Sequence, residues 1–224
     1  MREKRSWAFV LFVSLLALSG LAWGVVYVAA IRAGMRDKTF AMPLFALGLN
    51  LSWEGLYAVV SLVAGGEVLF QGFIDALWAL LDCGILYTYL RYGRVGARWV
   101  FGTWTVLALA TSFILQLLFL NEFGSRMGSA YSAFLQNLLM SILFINMFVT
   151  RRGTAGQSLL IAVAKWLGTL APTIAFGVLG HSLFFLVCGA LCTLFDLAYI
   201  GLLARPASIA LFVDSPVPER SPVG

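Results

Sequence analysis

The chain has 224 residues, 61% of them hydrophobic and 11% charged, with a mean hydropathy of +0.94 and a formal net charge of +5. A soluble domain carries about 25% charged residues, and 15 Lys/Arg with 10 Asp/Glu over this length cannot furnish a wetted surface. A soluble domain, disorder and a coiled coil are excluded. So is a nucleic-acid-binding domain, because the positive charges lie in short segments between apolar runs and form no basic patch.

Seven apolar stretches follow one another at 7–31, 40–64, 69–90, 99–120, 130–150, 158–180 and 182–204. Each is near the roughly 20 residues that cross about 30 Å of hydrocarbon as a helix, and none alternates as a barrel strand would. The predicted fold is an all-α membrane protein, a bundle of seven transmembrane helices over residues 1–204. The first stretch follows Arg2, Lys4 and Arg5, but its apolar run exceeds a signal h-region of roughly 7–15 residues and no small-x-small site follows it. It is expected to be a retained helix. Turn residues such as Gly65-Gly66, Tyr92-Gly93 and Arg152-Gly153 mark short connections with no room for a soluble domain. Residues 205–224, with Pro206, Pro216, Pro218 and Pro222, read as a disordered polar tail. Cys83, Cys188 and Cys192 all fall within spans, so no disulfide is predicted.

Orientation follows from Lys and Arg on alternate sides. Arg2, Lys4, Arg5 and Arg126 share one side. Arg32, Arg36, Lys38, Arg91, Arg94, Arg98, Arg151, Arg152, Arg205 and Arg220 share the other. The imbalance predicts an outside N-terminus and a cytoplasmic C-terminus, and the Ala/Gly/Arg-rich, short-looped chain suggests a bacterial plasma membrane.

Only Glu54, Asp75, Asp82, Lys165 and Asp196 place charges within the spans. A charge at the bilayer centre costs at least about 2.5–3.5 kcal/mol, which makes each a functional candidate. Glu54 lies near the midplane of the second span. Asn50, one turn earlier, shares its helix face and can orient its carboxyl group. The plain alternative is an interhelical clamp, which Asn or Ser would make at lower cost. Asp75, Trp78, Asp82 and Tyr89 share one face of the third span; Asp82 is deep, whereas Asp75 is expected near a boundary and solvated. Cys188, Cys192, Asp196 and Tyr199 form an inward stripe on the last span. Lys165 is expected to snorkel to the cytoplasmic surface. That position also discourages a retinal Schiff base, which needs a lysine deep in the seventh span. His181 stands alone, so no metal site is predicted, and no nucleotide-binding or G-x-S-x-G motif occurs.

Buried carboxyl groups deprived of water favour their neutral form and can donate protons. Aromatic faces attract cations, more strongly in a dry site. Acid, aromatic lining and a membrane-dissolved substrate together suit protonation of an isoprenoid alkene or epoxide and steering of the resulting carbocation.

Asn50-x-x-Trp53-Glu54 in the second span and Asp196-x-x-Tyr199 in the last resemble the integral-membrane terpene cyclases of meroterpenoid and indole-terpenoid pathways, fungal enzymes with bacterial relatives. The resemblance covers the chain's length and span count, with two short motifs. It implies a protonation-initiated cyclisation that neither ionises a diphosphate nor requires Mg²⁺ or another cofactor, with Glu54 and Asp196 as catalytic acids. The absence of D-D-x-x-D and D-x-D-D fits this. The expected substrate is a prenylated small molecule, for example of the farnesyl-indole type, with Glu54 or Asp196 delivering the proton. Asn50 would position Glu54, Asp82 would support the network, and Trp53, Trp78 and Tyr199 would line the cation path. The rival readings are a proton-coupled seven-helix carrier of a small lipophilic molecule, and a structural or sensory bundle whose acids are clamps. The lack of an inverted repeat counts against a carrier.

Overall fold

The computed structural model describes residues 2–205, and the polar tail expected at 205–224 lies almost wholly outside them. The described residues are helical almost throughout: α1 (Arg2–Asp37), α2 (Leu44–Ala64), α3 (Leu69–Tyr92), α4 (Arg98–Arg151), α5 (Leu159–Pro172), which continues as a π-helix (Thr173–Leu179), and α6 (Leu183–Ala204). Among the described residues six helices, counting α5 with its π-helical continuation, are long and apolar enough to cross a membrane. That is one fewer than the seven expected, because the stretches at 99–120 and 130–150 fall in the single 54-residue element α4.

Gly124 interrupts α4 at φ 71°, ψ 176°, a conformation essentially reserved for glycine. An unbroken helix would separate Gln116 from Gln136 by about 30 Å, yet Gln116 Nε2 donates to Gln136 Oε1 at 2.8 Å. Both ends of α4 also meet at one end of the bundle. Phe101 stacks on Tyr89 at 5.2 Å, Tyr89 meets Phe40 edge-on at 5.2 Å, and Arg151 sits over the Phe40 ring at 4.2 Å. The two halves of α4 therefore double back and lie side by side.

The polarity of the bundle is inverted relative to a soluble protein. Asn50, Glu54, Asp82, Gln116, Lys165 and Asp196 are buried, while Phe9, Leu21, Leu80, Trp99, Val106 and Leu183 are exposed. This is the arrangement that lipid imposes. The chain is a multi-pass integral membrane protein.

The apolar core fills the half of the bundle toward the basic end, where Phe40 and Arg151 meet, with Tyr27, Met42, Leu47, Ile85, Phe144 and Phe148 packed together. Helices approach closely at small residues; a Cβ on Gly168 would come within 2.9 Å of the Trp23 indole nitrogen. The opposite half is hollow. There Pro172, which has no N–H to offer the carbonyl one turn earlier, leaves the Gly168 carbonyl free, and Ser19 Oγ on α1 donates to it at 2.7 Å. The π-helix that follows Pro172 widens α5 beside the hollow.

Candidate active site

The hollow is a cavity of about 710 Å³, inside the range of roughly 300–1,000 Å³ usual for small-molecule sites. Every major helix contributes to its wall: Trp23 and Tyr27 from α1, Trp53 and Glu54 from α2, Asp75 and Trp78 from α3, Asn137 from α4, Thr169 from α5 and Phe185 from α6. Its depth reaches Tyr27, Asn50 and Glu54; its other end runs past Ser61, Gln71, Ser125 and Arg126 toward the turns of the bundle end opposite the basic one.

Glu54 stands at the floor, 1% exposed. Its Oε1 accepts hydrogen bonds from the Tyr27 hydroxyl and from Asn50 Nδ2, the latter at 3.0 Å. The pairing of Asn50 and Glu54 across one helical turn is as the spacing predicts. Asn50 Nδ2 also lies 2.9 Å from Asp82 Oδ2 and 2.8 Å from the Tyr27 oxygen, so one amide ties both acids and the phenol together. Its orientation is fixed from behind. Gln116 donates to Gln136 at 2.8 Å, and Gln136 Nε2 donates to Asn50 Oδ1 at 3.3 Å, so the Asn50 amide group must turn its protons toward the carboxyl groups. Two carboxyl oxygens remain without a partner, Glu54 Oε2 and Asp82 Oδ1.

Trp53 and Trp78 line the cavity. Trp53 Nε1 donates to the Ser129 carbonyl at 2.9 Å, and the Trp78 ring lies 6.1 Å from that of Tyr27. Asn137, also on the wall, donates to Thr169 Oγ1 at 2.7 Å, and Thr169 donates to the Lys165 carbonyl at 3.0 Å.

Asp196 and Tyr199 face the interior as their stripe predicts, at 1% exposure each, but neither is on the cavity wall. Tyr199 donates to Gln157 Oε1 at 2.9 Å and packs on Phe144 at 5.5 Å. Asp196 is held by Lys165, whose Nζ lies 2.8 Å and 3.0 Å from the two carboxylate oxygens and 2.7 Å from Ser141 Oγ. This corrects the snorkelling expected of Lys165, which is wholly buried; a carboxylate within reach replaces the water its ammonium group would otherwise seek. Asp75 is also corrected. It is 1% exposed on the cavity wall, with Gln71 Nε2 donating to Oδ1 at 2.7 Å, because α2 and α3 close over it where a solvated boundary was expected. Sequence reasoning missed Tyr27, Gln136 and Asn137, polar side chains in apolar stretches whose partners lie on other helices. Among the described residues no three His, Cys, Asp or Glu side chains are grouped so as to hold a metal ion.

Residues 5–204 match the sequence profile of the Pyr4-like transmembrane terpene cyclases. The chain belongs to this family. Among its curated relatives, the Pyr4-family terpene cyclase mfmH of Annulohypoxylon moriforme is 28% identical over 171 residues, 72% of this chain and 68% of its own length. The terpene cyclase ascF of Acremonium egyptiacum is 33% identical over 87 residues, 39% of this chain and 30% of its own length. The terpene cyclase dpchB of Colletotrichum higginsianum is 26% identical over 163 residues, 68% of this chain and 64% of its own length. The matched stretch thus spans under a third of ascF and about two thirds of the other two. All three are fungal, whereas composition suggested a bacterial source. No solved structure matches the chain. The family resemblance expected from the two motifs is borne out, and kinship with terpene cyclases does not favour the carrier reading.

Proposed function

We propose that this Pyr4-like family member is a membrane-bound terpene cyclase that protonates the terminal alkene or epoxide of a prenylated small molecule, farnesyl-bearing by preference, and closes its rings through carbocations. The observation that carries this reading is Glu54 on the cavity floor, with Oε1 held by Tyr27 and Asn50 and Oε2 without a partner. Glu54 is the proton donor. Asp82, joined to it through Asn50, completes a carboxyl pair. Asn50 aims the pair, and the faces of Trp53 and Trp78 stabilise positive charge as it moves along the chain. Asp196, the second acid of the motif pattern, acts from behind the wall. Its ion pair with Lys165 positions α5, whose next turn carries Thr169 into the cavity.

The α4 element crosses the membrane twice in this reading, giving seven spans, because about 81 Å of straight helix has no place across about 30 Å of hydrocarbon and Gly124 supplies the reversal. The basic end then faces the cytoplasm, with the N-terminus outside. Residues 1–204 form the transmembrane domain and 205–224 a polar tail.

The test is to incubate membranes carrying the protein with a farnesylated indole and with its terminal epoxide. A cyclised product isomeric with its substrate is expected. Unchanged recovery of both, together with their uptake into proteoliposomes under a pH gradient, would return the carrier reading.

A further inference from the structure

Protonation explains how a cyclisation begins, and the cavity holds a second carboxyl group that this step does not use. Asp75 is 1% exposed, lines the cavity, and is oriented by Gln71, which donates to Oδ1 at 2.7 Å. It lies on the same face of α3 as Trp78 and Asp82, three and seven residues on, which places it about 10 Å along the helix axis from Asp82. From the carboxyl pair outward, the wall therefore runs acid, aromatic ring, carboxylate, toward the end of the cavity that Gln71 and Arg126 also line. Ring closure carries positive charge away from the carbon first protonated. The group that removes the last proton must accordingly stand apart from the group that delivers the first, with an aromatic face between them.

We infer that Asp75 is the base that ends the cascade. This rests on the cyclase reading. In the closing step the electrons of a C–H bond adjacent to the final cationic carbon form the new carbon–carbon double bond, and its proton passes to the Asp75 carboxylate. One proton has then left Glu54 and one has arrived on Asp75, so substrate and product are isomers. Asp75 returns its proton to water at the end of the cavity lined by Ser61, Gln71 and Ser125, and Glu54 regains one proton from water before the next turnover, which closes the cycle. Gln71 is a positioning residue in this scheme, acting through Asp75. The product class follows: an alkene formed by deprotonation, in preference to a hydrated alcohol.

The experiment compares wild-type protein with Asp75→Asn and Asp75→Glu in membranes supplied with the farnesylated indole or its epoxide, whichever the wild type cyclises; products are resolved by mass spectrometry and NMR. Wild-type failure on both probes counts against the cyclase reading itself. With an active wild type, Asp75→Asn is expected to consume substrate within about tenfold of the wild-type rate while diverting most product to alcohols or rearranged alkenes. Asp75→Glu is expected to restore alkene formation with an altered position of the double bond. A wild-type product pattern from Asp75→Asn overturns the inference. So does a folded Asp75→Asn protein that consumes no substrate, since that places Asp75 in initiation. Should Asp75→Asn fail to fold, Asp75→Glu carries the test alone: an unchanged alkene ratio overturns it.

Discussion

Glu54 and Asp196 are both buried acids in a membrane, yet their surroundings assign them different work. Glu54 accepts hydrogen bonds from the neutral groups of Tyr27 and Asn50 and has the Asp82 carboxyl group as its other neighbour. Asp196 has a lysine on both oxygens. Glu54→Gln retains an acceptor for Tyr27 but carries no transferable proton, so cyclisation should fall by at least the 10²–10⁴-fold typical of a lost general acid, with normal yield of folded protein in detergent. Asp196→Asn should instead leave Lys165 as a buried, uncompensated cation at a cost of about 3–5 kcal/mol, read as a lowered melting temperature. If that reading is correct, Lys165→Met combined with Asp196→Leu recovers most of the stability; a melting temperature as low as that of the single variant would contradict it. The Asn50–Glu54 pairing was legible because both residues lie on one helix at a spacing that fixes their geometry. The Lys165–Asp196 and Tyr27–Glu54 contacts were not, because they join different helices at separations of 31 and 27 residues, and nothing local in the chain records which helix packs on which.

At the scale of elements, the hydropathy of the chain located α2, α3, α5 with its π-helical continuation and α6 to within about four residues, since length and apolar character are local properties, but it began α1 late, ended it early and divided α4 in two. It did not foresee that the two halves of α4 would be joined by a sharp reversal at Gly124, nor that α5 would widen into a π-helix. The first depends on the dihedral angles of one residue, and the second follows Pro172, whose missing N–H leaves the Gly168 carbonyl to Ser19. Both features carry expected costs. Gly124→Ala forces a Cβ into the φ 71°, ψ 176° region and should lower stability by about 1–3 kcal/mol, measured by thermal unfolding in detergent. Ser19→Ala removes the donor to the Gly168 carbonyl and should cost about 1–3 kcal/mol through an unpaired buried acceptor. An unchanged melting temperature in either variant would remove that residue from the account.

For the whole molecule, the bundle is packed at the basic end and hollow at the other, and its polar groups cluster in the interior while apolar side chains face lipid. Scarcity of charge identified the solvent and narrowed attention to five ionisable side chains in the spans, four of which proved to belong to two pairs: Glu54 at the cavity floor with Asp82 buried behind it, and Asp196 with Lys165 behind the wall. The fifth, Asp75, looked peripheral by position along its helix and is on the cavity wall because neighbouring helices cover it. The central claim is that Glu54 delivers the proton that starts cyclisation, and it is tested most directly by measuring formation of cyclised isomer from a farnesylated indole in D₂O, or from its terminal epoxide, by wild type and Glu54→Gln at equal folded concentrations. The account predicts a cyclised isomer from the wild type, carrying one new carbon-bound deuterium if the alkene is the site of protonation, and a rate at least about a hundredfold lower for Glu54→Gln. Glu54→Gln forming the same product at the wild-type rate would contradict it.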